Sequence, residues 1–449
     1  MERRGARGKG RDIVVRVGGP IAIALLWGLA AAASARAADL FGDFHLLGQV
    51  REGYQDHQTE APVDLYGNVG AANLWHASRG ETFFRLEQDL ANGDNAGDFY
   101  AGYAQIPNAL PGVSATVGRQ FLNEGPGGVF VADAGKVDID PGWPVSFSVY
   151  GGAPQYFEPT YSSPIISQDE LLWGGNMRTT RWRGGQMSLG YQQWERNSRV
   201  LRQLISTTGV QTFATLPGTP QVYGAFAYDA DHQNIDNANL GLDLFFSDPT
   251  LLFNFGSTYY QPQDNPNQSN INWQEDPIFQ LFSDSDLVQV RGGVRHPFSR
   301  EVSAYADFSY QTYDNAVHQT QNGYISHAGV LWLPEGDGLE QVLFAYYGAD
   351  SGGGNVNGVS LFYESQVYER LVFRFRTDVG YYEKESNQSD WPVHTLTGVG
   401  YEIAPGLTGQ LLFEANRNVV FDADLRFGFT LTYNFRHRVE TPADDKEPS

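Results

Sequence analysis

Apolar and polar side chains alternate with a period of two over the last long segment of the chain. The apolar members are Leu425, Phe427, Phe429, Leu431, Tyr433 and Phe435, and between them stand Asp424, Arg426, Gly428, Thr430, Thr432 and Asn434. Successive side chains of a strand point to opposite faces, and about 11 residues is the length of a tilted strand that crosses a bilayer. The segment therefore predicts a membrane-spanning strand with one face toward lipid and the other toward water.

The same alternation recurs along most of the chain, and no helix produces it. Apolar residues oppose polar ones around Phe84, Leu240, Val288, Ala304 and Leu371. The charged members of the polar faces are Arg85, Glu87, Arg291, Arg295, Arg374, Arg376 and Asp378. Short turn-forming stretches alternate with longer polar connections, as in an up-and-down barrel.

These patterns predict an all-β fold: a single-chain antiparallel transmembrane β-barrel with a polar lumen and about 20 strands, within a range of 18 to 22. The pattern is unclear from Ala153 to Ala230. Within that stretch, Arg196 to Gln221 holds either one strand or none, and in the second case it would be a long outer loop.

Composition distinguishes this barrel from the competing folds. Only 41% of residues are hydrophobic although 14% are aromatic, and beyond the N-terminal segment no apolar run approaches the 18 or so residues of a spanning helix. A large soluble propeller or solenoid would show a repeat of fixed period, and none is present. Five tryptophans are expected in the aromatic girdles of the membrane interfaces: Trp173, Trp182, Trp194, Trp332 and Trp391.

The N-terminal segment has the features of an export signal. Basic residues cluster from Arg3 to Arg16, an apolar run extends from Ile21 to Ala33, and Ala35-Arg36-Ala37 is a small-x-small cleavage site. A transmembrane anchor would need a longer run, of about 20 residues. We therefore expect a signal peptide over residues 1–37 and export to the outer membrane of a Gram-negative bacterium. The barrel would cover 38–435, and the charged end, 436–449, would be a short disordered periplasmic tail.

Charge and motif content exclude several function classes. Without residues 1–37 the chain has 23 Lys and Arg against 50 Asp and Glu, and a nucleic-acid binder would be basic. There is no cysteine for a thiolate site, and the nine histidines form no H-E-x-x-H motif. The acidic pairs Asp229 with Asp231 and Asp284 with Asp286 lack the twelve-residue calcium loop. We expect no enzyme activity and no cofactor.

The segment from Val113 to Gly152 contains an unusual order of motifs. A strand ending in Val117-Gly118-Arg119-Gln120 leads into a glycine-rich stretch, Asn123 to Gly128, and the chain returns through Gly135-Lys136-Val137-Asp138-Ile139. This order resembles bacterial porins and the alginate-export type of outer-membrane barrel. The resemblance implies a wide polar conduit in which the glycine-rich stretch folds inward as a constriction.

Five charged residues would then lie near the narrowest zone: Arg119, Glu124, Asp133, Lys136 and Asp138. The alternative is an ordinary surface loop. Arg119 shares its phase with the apolar Val117, so a bulge or the strand end would have to turn it inward. The other lumen charges would either select solutes, as rings of charge do in pores, or only solvate the wall.

Three functions fit these features. The first is a channel through the outer-membrane lipid for hydrophilic solutes or for a secreted polysaccharide, the latter with a periplasmic export partner. The second is a sleeve around a periplasmic electron carrier, which would have to be a separate cytochrome because the chain has no C-x-x-C-H motif. The third is a structural or adhesion barrel whose outer surface is built from Arg196 to Gln221 and Gln261 to Ser283.

Overall fold

The computed structural model is one closed sheet. It describes residues 37–52, 59–74, 77–93, 95–122, 130–156, 165–166, 170–179, 183–247, 250–261, 287–314, 320–334, 340–351, 354–383, 389–418 and 423–440. Within these residues no helix is long and apolar enough to cross a membrane.

The strands pair with one another in chain order around the barrel. The first half contains β1 (Ala37–Glu52), β2 (Thr59–Glu60), β3 (Pro62–Ala72), β4 (Arg79–Asp89), β5 (Asn95–Leu110), β6 (Val113–Leu122), β7 (Phe130–Ile139), β8 (Val145–Tyr156), β9 (Ile165–Ile166), β10 (Glu170–Thr179), β11 (Gly185–Arg196) and β12 (Arg199–Thr212). The second half contains β13 (Gln221–Asp229), β14 (Asn234–Ser247), β15 (Thr250–Tyr260), β16 (Leu287–Pro297), β17 (Val302–Asp314), β18 (Thr320–Trp332), β19 (Glu340–Ser351), β20 (Gly354–Tyr368), β21 (Leu371–Glu383), β22 (Ser389–Asp390), β23 (Val393–Ala404), β24 (Leu407–Arg417) and β25 (Asp424–Glu440).

Closure of the sheet joins the two ends of the chain. β25 pairs antiparallel with β1 from Ala37 opposite Glu440 to Val50 opposite Phe427. The two-residue strands β2, β9 and β22 only extend their neighbours, and the others form a closed antiparallel barrel of 22 strands. The predicted fold is confirmed, with the strand number at the upper limit of the expected range.

The stretch from Arg196 to Gln221, for which the sequence predicted either one strand or none, is regular. β12 lies inside Arg196 to Gln221, and a two-residue turn, Asn197-Ser198, joins it to β11. Both turn residues have positive φ, 52° and 63°, which matches the hairpin turn that follows the twist of the strands. The expectation of a long outer loop there is wrong, because strand β12 occupies most of the stretch.

The C-terminal strand is longer than predicted. β25 continues beyond Phe435 to Glu440, because β1 begins at Ala37 and supplies backbone partners for it. The barrel therefore extends into the predicted tail, and residues 441–449 lie outside the described part. Residues 1–36 also lie outside it, so the signal peptide stays a prediction.

The alternation in β25 separates the two surfaces of the wall as predicted. Leu425 and Phe427 are exposed on the outside, whereas Asp424 and Arg426 form an ion pair on the inside. Similar exposed apolar side chains cover the outside of other strands, including Leu240, Val290 and Phe308. This apolar exterior is the surface that a membrane barrel presents to lipid.

Many of the 51 glycines lie under aromatic rings of the neighbouring strand. A Cβ atom on Gly48 would overlap the ring of Phe429, and one on Gly241 would overlap the ring of Tyr223. The first pair lies on the outer face and the second on the inner face. Glycine thus lets large rings lie flat against the wall, a cross-strand arrangement that helps to define register.

Candidate functional site

The inner surface of β20 to β25 carries a chain of ion pairs. Arg374 Nε is paired with Glu364 on the neighbouring strand. Arg376 Nε donates to Asp378 Oδ2 at 2.8 Å, and His394 Nδ1 lies 2.8 Å from the same oxygen. The alternation that predicted Arg374, Arg376 and Asp378 on one face therefore brings them together on the lumen side.

Glu414 connects this group to the closure of the barrel. His394 Nε2 lies 3.4 Å from Glu414 Oε1, and Arg426 Nη1 lies 4.0 Å from the same oxygen. Arg426 Nε also donates to Asp424 Oδ2 at 2.7 Å. His394, Glu414 and Arg426 were missed as site residues, although each occupies the inward phase of its strand.

The network continues beyond the closure onto β1, β3 and β4. Arg85 Nε donates to Asp64 at 2.8 Å and its Nη2 donates to Glu87 at 2.6 Å. Arg85 Nη1 lies 3.8 Å from Asp98 of β5, and Arg51 donates to Glu60 at 2.8 Å. Arg85 and Glu87, predicted from the alternation in β4, thus sit inside an ion-pair cluster.

These residues form what we call the charged wall, the inward face of β20 to β25 and β1 to β5. Between its two ends lies a cavity of about 350 Å³, lined among others by Gln49, Arg51, Arg85, Glu87, Glu414 and Arg426. The side chains of Arg374 and Arg376 are 43% and 51% exposed. The arginines of the charged wall are therefore ion-paired, but their side chains remain accessible to water.

Arg291 and Arg295 lie on the inward face of β16, apart from this network. Arg291 is exposed, and the guanidinium of Arg295 lies 5.9 Å from the ring centre of Tyr305. Within the described part of the chain neither arginine is ion-paired. Both therefore present cationic groups to the lumen.

Lys136 and Asp138 also face the lumen. Lys136 Nζ lies 3.2 Å from Asp138 Oδ1, and both line a cavity of about 550 Å³ with Asn108, Ser114, Ser148 and Arg178. The glycine-rich stretch that was expected to fold inward, including Glu124, lies outside the described residues.

Arg119 and Asp133 point the other way. They are partners in the β6 and β7 ladder, which runs without a register shift from Val113 opposite Ile139 to Leu122 opposite Phe130. Asp133 is therefore out of phase with Lys136, and Arg119 stays in phase with the exposed Val117. The structure does not bring Arg119 and Asp133 together with Lys136 and Asp138 on one face.

The inward face of β6 to β13 differs from the charged wall, and we call it the packed wall. Leu122, Leu172, Trp194 and Leu204 are at most 2% exposed, and Ala132 is fully buried. Four of these side chains form one apolar cluster together with Ala134 and Tyr150: Leu122, Ala132, Leu172 and Trp194. No periodic signal distinguished this cluster, because its members share the inward phase with polar residues.

Trp194 corrects the girdle prediction. Its indole nitrogen donates to Glu170 at 3.0 Å inside the packed wall, because the alternation of β11 turns it toward the lumen. Trp173, Trp332 and Trp391 are exposed, and Trp182 lies outside the described residues. Glu170 also pairs with Arg196 at 2.5 Å and is itself 1% exposed.

The described residues contain no group of three or more metal-ligating side chains. Asp229, considered for calcium with Asp231, accepts the backbone N–H groups of Asp231 at 3.0 Å and of His232 at 3.3 Å. It is fully buried and serves as a turn residue. Asp284 and Asp286 lie outside the described residues.

The architecture is a closed antiparallel barrel of 22 strands with an apolar exterior and charged side chains on its inner face. No protein family and no curated protein matches the sequence of this chain.

Among solved structures, the outer membrane protein OpdK of Pseudomonas aeruginosa aligns with a TM-score of 0.46 and 10% identity over 89% of this chain and 99% of its own. OccK3 (OpdO) of the same organism aligns at 0.46 and 11% over 92% and 99%, and the translocation pore of the usher PapC at 0.47 and 9% over 88% and 99%. At such identities the likeness is one of fold alone.

Proposed function

We propose that the chain is an outer-membrane channel through which small hydrophilic solutes pass along the charged wall. The observation that carries the proposal is the water-exposed state of Arg374 and Arg376. Charged side chains at the lumen of a closed barrel are solvated only where water enters it, and barrels of this size leave an aqueous channel unless something fills them.

The pairing of the charges supports passage rather than tight binding. Arg376 and Asp378 present both signs at one place, and the cluster around Arg85 repeats this arrangement. A solute moving along such a wall exchanges water for either donors or acceptors without meeting a single strong site. Conduction requires binding that is weak and spread over several sites.

The other candidate functions predict different results in the same experiment. Export of a polysaccharide would use the same lumen at greater width, with long polymers occupying it. A sleeve around an electron carrier would have the lumen filled by a cytochrome, and an adhesion barrel would be closed. Nothing described favours one of these over solute passage.

The first experiment is single-channel recording of the protein in a planar lipid bilayer. Steady current that small sugars or sugar acids reduce would support solute passage. Block by long polysaccharides, with small sugars having no effect, would favour polymer export. Absence of current from folded barrels would overturn the proposal, and a haem absorbance scan of the native complex would then test for a bound cytochrome.

A second experiment uses ion selectivity. Arg376→Gln removes a cation from the lumen, so the reversal potential in a salt gradient should shift toward cation preference. Arg417→Gln is the matched control, because Arg417 is exposed on the outward phase of β24. An equal shift in both variants, or no shift in Arg376→Gln, would contradict the placement of the solute path along the charged wall.

A further inference from the structure

The cavity of the charged wall has an apolar floor. Leu47 of β1, Leu396 of β23 and Leu412 of β24 all line it. They lie on the inner face, each in phase with a charged residue of its own strand: Arg51, His394 and Glu414. Leu47 is 37% exposed, so its hydrocarbon surface is open to the lumen. The cavity therefore places apolar and charged side chains next to each other.

Glycines keep this floor open. Leu412 is paired with Gly398 on β23 and with Gly428 on β25. A Cβ atom on Gly398 would lie 2.9 Å from Leu412 Cδ2, and one on Gly428 would lie 3.8 Å from Leu412 Cβ. Because no side chain rises on either side of Leu412, the cavity keeps its volume of about 350 Å³. This volume lies within the range of sites for small organic molecules.

Carboxylates outnumber cations around the floor. The three arginines that line the cavity are Arg51, Arg85 and Arg426. They form ion pairs with six carboxylates: Glu60, Asp64, Glu87, Asp98, Glu414 and Asp424. His394 adds at most one positive charge, and it lies against Asp378 as well as Glu414. With these groups ionised, the surroundings of the cavity have a net negative charge.

Two of these carboxylates keep one oxygen without a donor. Glu87, whose side chain is only 6% exposed, accepts Arg85 Nη2 at Oε2. The partners of Glu414, among them Asn416, all lie at Oε1. Both glutamates line the cavity, and in the described part of the chain no hydrogen bond reaches Glu87 Oε1 or Glu414 Oε2. A nearly buried carboxylate oxygen without a donor is costly, so a donor that enters the cavity is favoured.

We propose that this cavity binds a small organic cation, an ammonium group attached to an apolar body. The ammonium donates to Glu87 and Glu414, and the apolar body lies on the three leucines. An organic anion of equal size is repelled by the excess of carboxylates, and an inorganic cation gains nothing from the leucines. The inference rests on the proposed channel function, because solutes reach the cavity through the lumen.

Three probes separate the effect of charge from that of apolar contact: n-butylammonium, methylammonium and butyrate. Each is titrated against the single-channel current of the full chain in a planar bilayer, and against the folded protein in deuterated detergent by saturation-transfer NMR. We expect n-butylammonium to act at a concentration at least about fivefold lower than methylammonium, since burial of its additional methylene groups is favourable. Butyrate should also require a higher concentration than n-butylammonium.

Two pairs of variants locate the site. Leu396→Ser should remove most of the preference for n-butylammonium over methylammonium, whereas Leu343→Ser, at an inward position of β19 outside the cavity, should keep it. Glu414→Gln should weaken both ammonium probes by about threefold. Asp243→Asn, which removes the same charge from the inner face of β14, should leave both unchanged. All four variants should show the shift in gel mobility on heating that marks a folded barrel.

The proposal fails if n-butylammonium and butyrate act at equal concentrations, or if folded Leu396→Ser keeps the preference. Either result leaves the channel function intact when small sugars still reduce the current. Equal weakening by Glu414→Gln and Asp243→Asn would also overturn it, because the probes would then respond to the charge of the whole lumen. A protein without current would overturn solute passage, and the NMR titration would still decide whether the cavity binds the cation.

Discussion

The packed wall and the charged wall are built from the same alternating strands, but their inner surfaces differ. On the packed wall, Leu172 and Trp194 are buried and the charged Glu170 is enclosed beside them. On the charged wall, Arg374 and Arg376 remain half exposed although both are ion-paired. Alternation thus determines which side chains face inward, while the partners on neighbouring strands determine whether that face is packed or wet.

The largest effect on stability should come from the buried ion pair of the packed wall. Glu170→Gln removes the charge of a carboxylate that is 1% exposed and that pairs with Arg196, whose own side chain is 27% exposed. Breaking such a pair costs about 3 to 5 kcal/mol. Urea unfolding in detergent measures the change in the free energy of unfolding. The comparison variant is Glu364→Gln, which breaks the more exposed pair with Arg374 and should cost less than about 1 kcal/mol. If both variants lost the same free energy of unfolding, the packed wall and the charged wall would not differ in how strongly their ion pairs are buried.

The next largest loss in the free energy of unfolding should come from a truncation in the apolar cluster of the packed wall. Leu172→Ala removes a side chain with no exposed surface from the apolar cluster, and such changes cost about 2 to 5 kcal/mol. Leu47→Ala provides the comparison, because Leu47 faces the cavity of the charged wall and is partly exposed. We expect a loss below about 1 kcal/mol for it by the same unfolding measurement. A Leu172→Ala loss as small as this would show that the cluster is loosely packed.

The turn between β11 and β12 should give a small gain. Ser198 has a φ of 63°, a conformation in which a side chain costs about 1 to 2 kcal/mol and which glycine adopts freely. Because glycine loses more entropy on folding, Ser198→Gly should stabilise by less than about 1 kcal/mol. The thermal midpoint of the barrel tests this, with Ser299→Gly in the β16–β17 connection as the control that should show no gain.

The smallest effect on stability should come from the charged wall. Arg376→Gln removes an exposed partner of Asp378, so the unfolding free energy should change by no more than about 0.5 kcal/mol. The same variant carries the selectivity shift described above. A large loss of stability would mean that Arg376 is structural, and the open state of the charged wall would then be in doubt.

The candidate site could be predicted only in part. Arg374, Arg376 and Asp378 were placed on one inward face because the period of two holds along a single strand. Their partners His394 and Glu414 lie on β23 and β24, and no local pattern connects them with β21. Arg119 was grouped with Lys136 by a motif resemblance, although its own phase already indicated the outer surface.

The barrel class can be predicted from the amino-acid sequence, because alternation over about ten residues is a local property that each strand carries alone. In the strands where the alternation is regular, it also predicts which residues face inward. The pairing of β25 with β1, which places Arg426 near Arg85 across one cavity, is visible only in the folded barrel. The difference between the packed wall and the charged wall also appears only there, because burial depends on side chains that strand pairing brings from distant parts of the chain.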